Sequence, residues 1–221
     1  MTANEKNAQV RELAQQIVDY GVKMLKAGFV TGTGGNISVR VPGEDAYLIS
    51  PSGMPYEALT ADDIVMINFD GEIIGGKRKP SVEQNMHRLI LKNRPEFNAV
   101  IHTHSCYAAA YSSLHRPLPV FLDVMHCVFG GAVPCSEYAR IGTLELAQNV
   151  EKAMRGTNVV LIANHGCIGA GKDLAEAYGN VELLEECCKS YFAACTAGVP
   201  LCISDDDIRE SIADLSKRYG Q

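Results

Sequence analysis

The sequence predicts an α/β fold, a mixed central β-sheet flanked by helices, and three observations carry that prediction. Apolar residues recur at helical spacing near the N-terminus. Short apolar runs broken by turn signals follow as far as residue 74, and beyond residue 99 strand-like and helix-like segments alternate. Hairpins call for antiparallel neighbours and helix-linked strands allow parallel ones, so the sheet is expected to be mixed.

From Asn7 to Ala27, the residues Val10, Leu13, Ala14, Ile17, Val18, Val22 and Leu25 mark one face of a helix. A glycine-rich loop, Thr31-Gly32-Thr33-Gly34-Gly35-Asn36, leads into a strand at Ile37–Val41. Ala46–Ser50 and Ile64–Asn68 read as further strands, and Asp70-Gly71 before Glu72-Ile73-Ile74 signals a hairpin. A helix is expected from Pro80 to Asn93, with Ser81 and Gln84 at capping-box spacing. The second half reads as strand Ala99–His104, helix Cys106–Leu114, a short strand near Val133, helix Thr143–Met154, strand Val159–Ala163 and helix Leu174–Ala197. Ser204 then caps a last helix running to Tyr219, its first turn made acidic by Asp205, Asp206 and Asp207. No repeat, low-complexity tract or long linker interrupts this order, so residues 1–221 are expected to form one domain. Strand order stays open at this level.

Composition narrows the function. The 221 residues are 47% hydrophobic and 21% charged, with a net charge of −6 and no dense basic block. A nucleic-acid or anionic-membrane surface needs a basic stripe, so neither partner is expected. A small anionic ligand remains compatible, because backbone N–H groups can bind phosphate locally. The eight cysteines contain no Cys-x-x-Cys pair, and adjacent Cys187 and Cys188 point to different helix faces. Free thiols, hence a reducing compartment, are the expectation. With no apolar signal core at the N-terminus and no run of ~18 apolar residues, the chain reads as cytoplasmic.

The sharpest chemical signal is Val100-Ile101-His102-Thr103-His104. Side chains alternate along a strand, so His102 and His104 share a face and suit an N/O metal site. His165 follows the apolar run Val159–Ala163 and precedes Gly166, at a strand end where sites collect in α/β layers. A lone histidine is more often a satisfied core or surface residue. A strand-borne pair plus a third at another strand end points to metal. Glu83, near a helix N-terminus, either complements the dipole or serves as ligand and proton carrier, and spacing does not choose. His87 lies one turn from Glu83 on the same face and could support a site residue there, though a helix-face histidine is more often structural; His115 reads as a helix C-terminal cap, and His126 is ambiguous. Thr33-Gly34-Gly35-Asn36, Ser50-Pro51-Ser52-Gly53 and Pro80-Ser81 are small polar turns able to cradle phosphate. The first is no dinucleotide fingerprint, since it fails at Ile37 and runs from helix to strand.

Five ordered motifs, Gly35-Asn36-Ile37-Ser38, Ser50-Pro51-Ser52-Gly53, Lys79-Pro80-Ser81-Val82-Glu83, His102-Thr103-His104 and Asn164-His165-Gly166, resemble the class II aldolase family, which contains L-fuculose-1-phosphate aldolase, L-ribulose-5-phosphate 4-epimerase and the adducin head. The resemblance covers nearly the whole chain. It implies a three-layer fold and a homotetramer with active sites at subunit interfaces. By the same likeness His102, His104 and His165 bind Zn²⁺, or another divalent ion such as Mn²⁺. Glu83 ligates the empty metal and becomes the acid/base with substrate. Asn36, Ser52, Gly53 and Ser81 form the phosphate pocket, and Tyr219 reaches a neighbouring site. The implied reaction is cleavage of a ketose 1-phosphate to dihydroxyacetone phosphate and a short aldehyde. The rival Schiff-base route wants a desolvated lysine, and none of the expected strands contains one.

Three departures qualify the match. Val82 stands where the aldolase has a second phosphate-site serine. Asp123 stands where the fuculose-phosphate enzyme has an active-site tyrosine, which points away from that sugar. The epimerase has lysine at Ser50, aspartate at Glu83 and an insertion before its third histidine, so epimerase, with the decarboxylating lyases and dehydratases of this fold, is the lesser reading. A non-catalytic adducin-like module would show a degraded triad, and this one is intact.

Overall fold

In the computed structural model, residues 2–218 are described, and their centre is one eight-stranded sheet. The N-terminal helix α1 (Ala3–Lys26) starts four residues earlier than its apolar spacing indicates, because Thr2 and Glu5 form a capping box. Strands β1 (Asn36–Arg40), β2 (Ala46–Ile49), β3 (Val65–Asn68) and β4 (Ile73–Gly75) follow as antiparallel neighbours. The β3–β4 turn closes at Gly71, whose N–H donates to Asn68 O at 2.9 Å. Helix α2 (Gln84–Asn93), strand β5 (Ala99–Thr103), helices α3 (Cys106–Ser112) and α4 (Asp123–Phe129) and the two-residue strand β6 (Cys135–Ser136) come next. Helix α5 (Leu144–Ala153), strands β7 (Val159–Ile162) and β8 (Gly166–Gly171), and helices α6 (Leu174–Ala197) and α7 (Asp205–Arg218) complete the order.

The strands lie in the order β4-β3-β2-β1-β5-β8-β7-β6. Every pairing is antiparallel except β6 with β7, so the sheet is mixed, as expected. Alternation along the strands buries both faces. Ile37, Val39, Leu48, Ala99, Ile101, Val159 and Leu161 pack under α1, α3, α4 and α6. Tyr47, Ile49, Val100, Val160, Ile162 and Ile168 pack under α2 and α5. The resulting three layers match the fold class read from the sequence. All eight cysteines are free, and no described helix is long and apolar enough to cross a membrane.

Four local expectations are corrected. Strand β8 has no counterpart in the sequence reading, because Gly166-Cys167-Ile168-Gly169-Ala170-Gly171 carries little strand propensity. Helix α4 is too short, and too rich in β-branched residues, to announce itself by periodicity. The strand near Val133 falls at Cys135–Ser136, while Val133 forms an isolated bridge to Leu118. The capping box at Ser81 and Gln84 does not form. Helix α2 begins at Gln84 with Glu83 as its N-cap, the Ser81 hydroxyl accepts from Glu83 N–H at 3.2 Å, and the Glu83 side chain turns inward.

Gly169 and Gly171 of β8 are there because α6 lies against them, and Gly166 because the Thr103 carbonyl passes close by. A Cβ on Gly171 would sit 2.6 Å from the backbone N of Ala177 and 2.8 Å from Cβ of Glu176. Gly171→Ala should therefore destabilise the fold by ~1–3 kcal/mol through overpacking. Exposed Gly179, in the middle of α6 with open space around it, should gain ~0.5–1 kcal/mol on replacement by Ala. Urea midpoints of the two variants measured together check both signs. Equal midpoints would remove the proposed close approach.

Candidate metal centre

The centre is assembled where β1, β5 and β8 run side by side. Asn36 of β1 lies opposite His102 of β5, and His102 lies opposite Ile168 of β8. Because Ile37 and Val39 face the α1 side, Asn36 and Ser38 face the α2 side, as do Val100 and His102. His104 stands just past the end of β5, where its backbone N–H donates to Phe29 O at 3.1 Å. The glycine-rich loop reaches it from below. A Cβ on Gly34 would sit 3.0 Å from His104 Nδ1, and Gly35, at φ +71°, passes so close that its own Cβ would meet His102 O at 2.7 Å. Only glycine allows the loop to run there.

His165 sits in the turn from β7 to β8. That turn needs Asn164 in the left-handed region (φ 56°), a conformation asparagine tolerates better than most residues. His115 (φ 51°) is the other non-glycine residue of this kind among the described residues, and its ring hydrogen-bonds to Asn164 Oδ1. His115 is thus not the cap of α3; it lies beyond the helix end and braces the His165 turn. His126 is settled too: its Nε2 bonds Ser211 Oγ at 2.8 Å and ties α4 to α7.

The Nε2 atoms of His102 and His104 are 2.9 Å apart, and those of His104 and His165 are 3.1 Å apart. Glu83 Oε2 lies 3.3 Å from His102 Nε2, and Oε1 lies 3.5 Å from His165 Nε2. All four ligand atoms fall within 4.8 Å of one another. His102 Nδ1 is 2.9 Å from the carbonyl oxygen of Cys167, which can only accept, so the ring proton sits there and the Nε2 lone pair points inward. Glu83 Oε1 is buried with no hydrogen-bond partner among the described residues. Converging lone pairs and an orphaned carboxylate oxygen fit a cation, and three nitrogens with one oxygen suit a divalent ion.

Electrostatics agree with that fit. Burial, reinforced by neighbouring imidazoles, pushes His104 and His165 down to about 4, so both stay neutral at pH 7. Burial alone would raise Glu83, but His102, His165 and the Asn36 amide outweigh it and hold the carboxyl below its ordinary value.

The remaining expected residues are distributed as follows. Asn36, Ser81 and Glu83 adjoin the cluster, Asn36 Nδ2 donating to Glu83 Oε2 at 2.9 Å. Exposed Ser52 and Gly53 are drawn toward Ser81 by the Pro51–Pro80 bridge and by Ser52 N–H donating to Lys79 O at 2.9 Å. Ser81 N–H donates to Ser50 O at 3.2 Å. Asp123 opens α4 with an exposed side chain and shares no hydrogen bond or ion pair with the cluster among the described residues. Tyr219 lies outside the described residues. Val82 is exposed, with its Cβ 3.8 Å from a Cβ built on Gly142. The sequence reading did not anticipate Ser38 or the Cys167 carbonyl, and it gave His87 a structural role as the commoner reading.

Residues 15–192 match the model of the class II aldolase and adducin N-terminal domain. The chain belongs to the class II aldolase family. It is 37% identical over 207 residues to a 5-deoxy-D-ribulose 1-phosphate aldolase from Bacillus thuringiensis, covering 94% of this chain and 96% of the relative. It is 34% identical to an L-fuculose phosphate aldolase from Escherichia coli O6:H1, covering 95% and 96%. A solved L-fuculose 1-phosphate aldolase superposes with a TM-score of 0.88 at 35% identity, covering 93% of this chain and 96% of that one. The chain is an enzyme of this family, a lyase of the class II type. Class II aldolases use a divalent metal, and the Glu83/His102/His104/His165 cluster could hold one.

An acid-stability test follows from the depressed imidazoles. In the unfolded chain these histidines titrate near ~6.5. Between that value and about 4 the unfolded state binds more protons, so stability must fall as pH falls through the window. Urea midpoints of chelator-treated protein should drop between pH 7 and pH 5. A flat profile would mean that the rings are solvated rather than buried.

Proposed function

We propose that this chain is a metal-dependent aldolase that cleaves a ketose 1-phosphate to dihydroxyacetone phosphate and a short aldehyde. Its one domain, residues 1–221, works as a cytoplasmic homotetramer with active sites at subunit interfaces. The observation that carries the reading is the convergence of three imidazole nitrogens and a buried carboxylate oxygen within 4.8 Å, with Ser81 bonded to the Glu83 N–H and Ser52 and Gly53 brought alongside by the Pro51–Pro80 bridge. His102, His104 and His165, with Glu83 before substrate arrives, would hold Zn²⁺ or a similar ion such as Mn²⁺. When bound, that ion supplies Lewis-acid polarisation of the substrate's carbonyl.

The chain's own residues do the rest. Ser81 accepts from Glu83 N–H and so keeps its hydroxyl proton for a phosphate oxygen. The exposed Gly53 N–H and Ser52 hydroxyl beside it add donors. Glu83 removes the C3 proton of dihydroxyacetone phosphate in the condensing direction and returns it in cleavage, a task its buried, ionised carboxylate suits. Tyr219 protonates the aldehyde oxygen. Asp123, a carboxylate where the fuculose-phosphate enzyme has a tyrosine, repels an anionic aldehyde and favours a neutral or hydroxylated one. The Bacillus relative, a 5-deoxy-D-ribulose 1-phosphate aldolase, supports a short neutral aldehyde as the product.

A panel of 5-deoxy-D-ribulose 1-phosphate, L-fuculose 1-phosphate and L-ribulose 5-phosphate, assayed for dihydroxyacetone phosphate and for epimerised ketose, tests the reaction. Release from the 1-phosphates supports it; epimer alone overturns it. Glu83→Gln should lose ~10²–10⁴-fold in turnover while weakening metal binding modestly. Proton exchange at C3 of dihydroxyacetone phosphate continuing at the wild-type rate would show that Glu83 is not the base. Tyr219→Phe should depress cleavage but spare that exchange, and Asp123→Tyr should move aldehyde preference toward that of the fuculose-type enzymes. Normal cleavage in the first, or an unchanged aldehyde profile in the second, removes the assigned role.

A further inference from the structure

Behind Glu83 lies a buried chain of side chains that the reaction as proposed leaves unused. Asn36 Nδ2 is 2.9 Å from Glu83 Oε2, Asn36 Oδ1 is 2.5 Å from His87 Nε2, and His87 Nδ1 is 2.7 Å from Ser38 Oγ. All four residues are buried, Ser38 and His87 completely. We infer that His87 is a positioning residue, which fixes the orientation of the Asn36 amide and thereby aims the Glu83 carboxylate at the metal centre. The inference rests on reading Glu83 as the acid/base.

The donor and acceptor roles along this chain admit one arrangement. An ionised carboxylate only accepts, so Asn36 must present its NH₂ to Glu83 and its carbonyl to His87. The carbonyl also only accepts, so His87 Nε2 must carry the proton. A neutral imidazole then leaves Nδ1 bare, and Ser38 must donate its O–H to it. Burial pushes His87 down to about 3, which keeps the ring neutral. The opposite tautomer would set two lone pairs against each other at Asn36. Relieving that by rotating the amide would turn Oδ1 onto the carboxylate. Each alternative leaves a buried polar group unpaired, and such groups are costly in a low-dielectric interior.

The geometry explains why both partners stand where they do. Asn36 and Ser38 are two apart on β1 and share its α2-facing side, so they can grip one ring between them. His87 lies one turn beyond Glu83, on the same face of α2. Ser38 and His87 thus set the amide from behind, while Asn36 faces the reacting side.

Two measurements decide the question. Long-range ¹H–¹⁵N spectra of histidine-labelled protein, with the His87 signals assigned by their loss in His87→Gln, should show a neutral Nε2–H tautomer. It should not change between pH 5.5 and 8, with metal or after chelation. Separately, His87→Leu should keep stoichiometric metal and an unchanged KM, yet lose about 10–100-fold in C3 proton exchange. His87→Gln, whose amide N–H can reach the same Asn36 oxygen, should recover most of it. An Nδ1–H tautomer, wild-type exchange in His87→Leu, or a Gln variant as impaired as Leu would overturn the inference. If His87→Leu does not fold, the tautomer still decides. Exchange surviving Glu83→Gln together with the expected tautomer would sink Glu83 as base and leave only the orientation of the Asn36 amide by His87 standing. Exchange lost in Glu83→Gln with the wrong tautomer would do the reverse.

Discussion

Four ligand atoms held within 4.8 Å of one another, with His104 and His165 pushed toward neutrality by burial and the Glu83 carboxyl held below its ordinary value, are the constraint around which this molecule is arranged. No short segment could impose it. His102 comes from β5 and His104 from just past its end, His165 from the turn between β7 and β8, and Glu83 from the mouth of α2. The antiparallel pairing of β5 with β8 joins the first two groups, because it sets the Cys167 carbonyl against His102 Nδ1 and so decides which nitrogen faces inward. Orientation by a main-chain group is stiff, since moving it means moving the sheet. Ligand support of this kind ordinarily matters nearly as much as the ligands themselves.

The two-sided core makes the sheet stiff enough for the task. Apolar residues of both faces are fully buried under separate sets of helices, so neither β5 nor β8 can shift without disturbing both layers. Against this background the polar patch of Asn36, Ser38, Glu83, His87 and His102 is an intrusion into the α2 side of the core. It is tolerable because nearly every group in it has a partner, the exception being Glu83 Oε1. That unsatisfied oxygen belongs to the cluster that could hold a cation, which gives it a partner the side chains alone do not supply.

What the sequence made legible follows the same logic. The long helices α1 and α6, the β3–β4 turn and the alternation around β5 are local patterns, and each was readable. The His-x-His spacing on β5 and His165 at a strand end were readable as a metal set because strand geometry alone puts the pair on one face. Strand β8 was not, since its glycines answer to the close approach of α6 and of the Thr103 carbonyl, which only the folded chain shows. Helix α4 is short and held by packing. Glu83 was ambiguous for a physical reason: as an N-cap it resembles any dipole-complementing carboxylate, and only the folded sheet shows that its side chain leaves the helix and turns to the histidines. His87 was discounted for a similar reason, because its partners Ser38 and Asn36 are about fifty residues away.

Asn36 links these arguments. The family likeness gives it to the phosphate pocket, while the structure commits its NH₂ to Glu83 and its carbonyl to His87. An amide has two donor hydrogens, and the bond to Glu83 uses one. The other takes part in no hydrogen bond among the described residues, so the bond to Glu83 does not exhaust the amide's donors. The two roles are also coupled, since a phosphate oxygen that takes the second hydrogen pulls on the same planar group that steers the carboxylate. A glutamine, with another rotatable bond, would blur that connection. The short side chain on β1, gripped from behind by a fully buried imidazole, is what makes it firm.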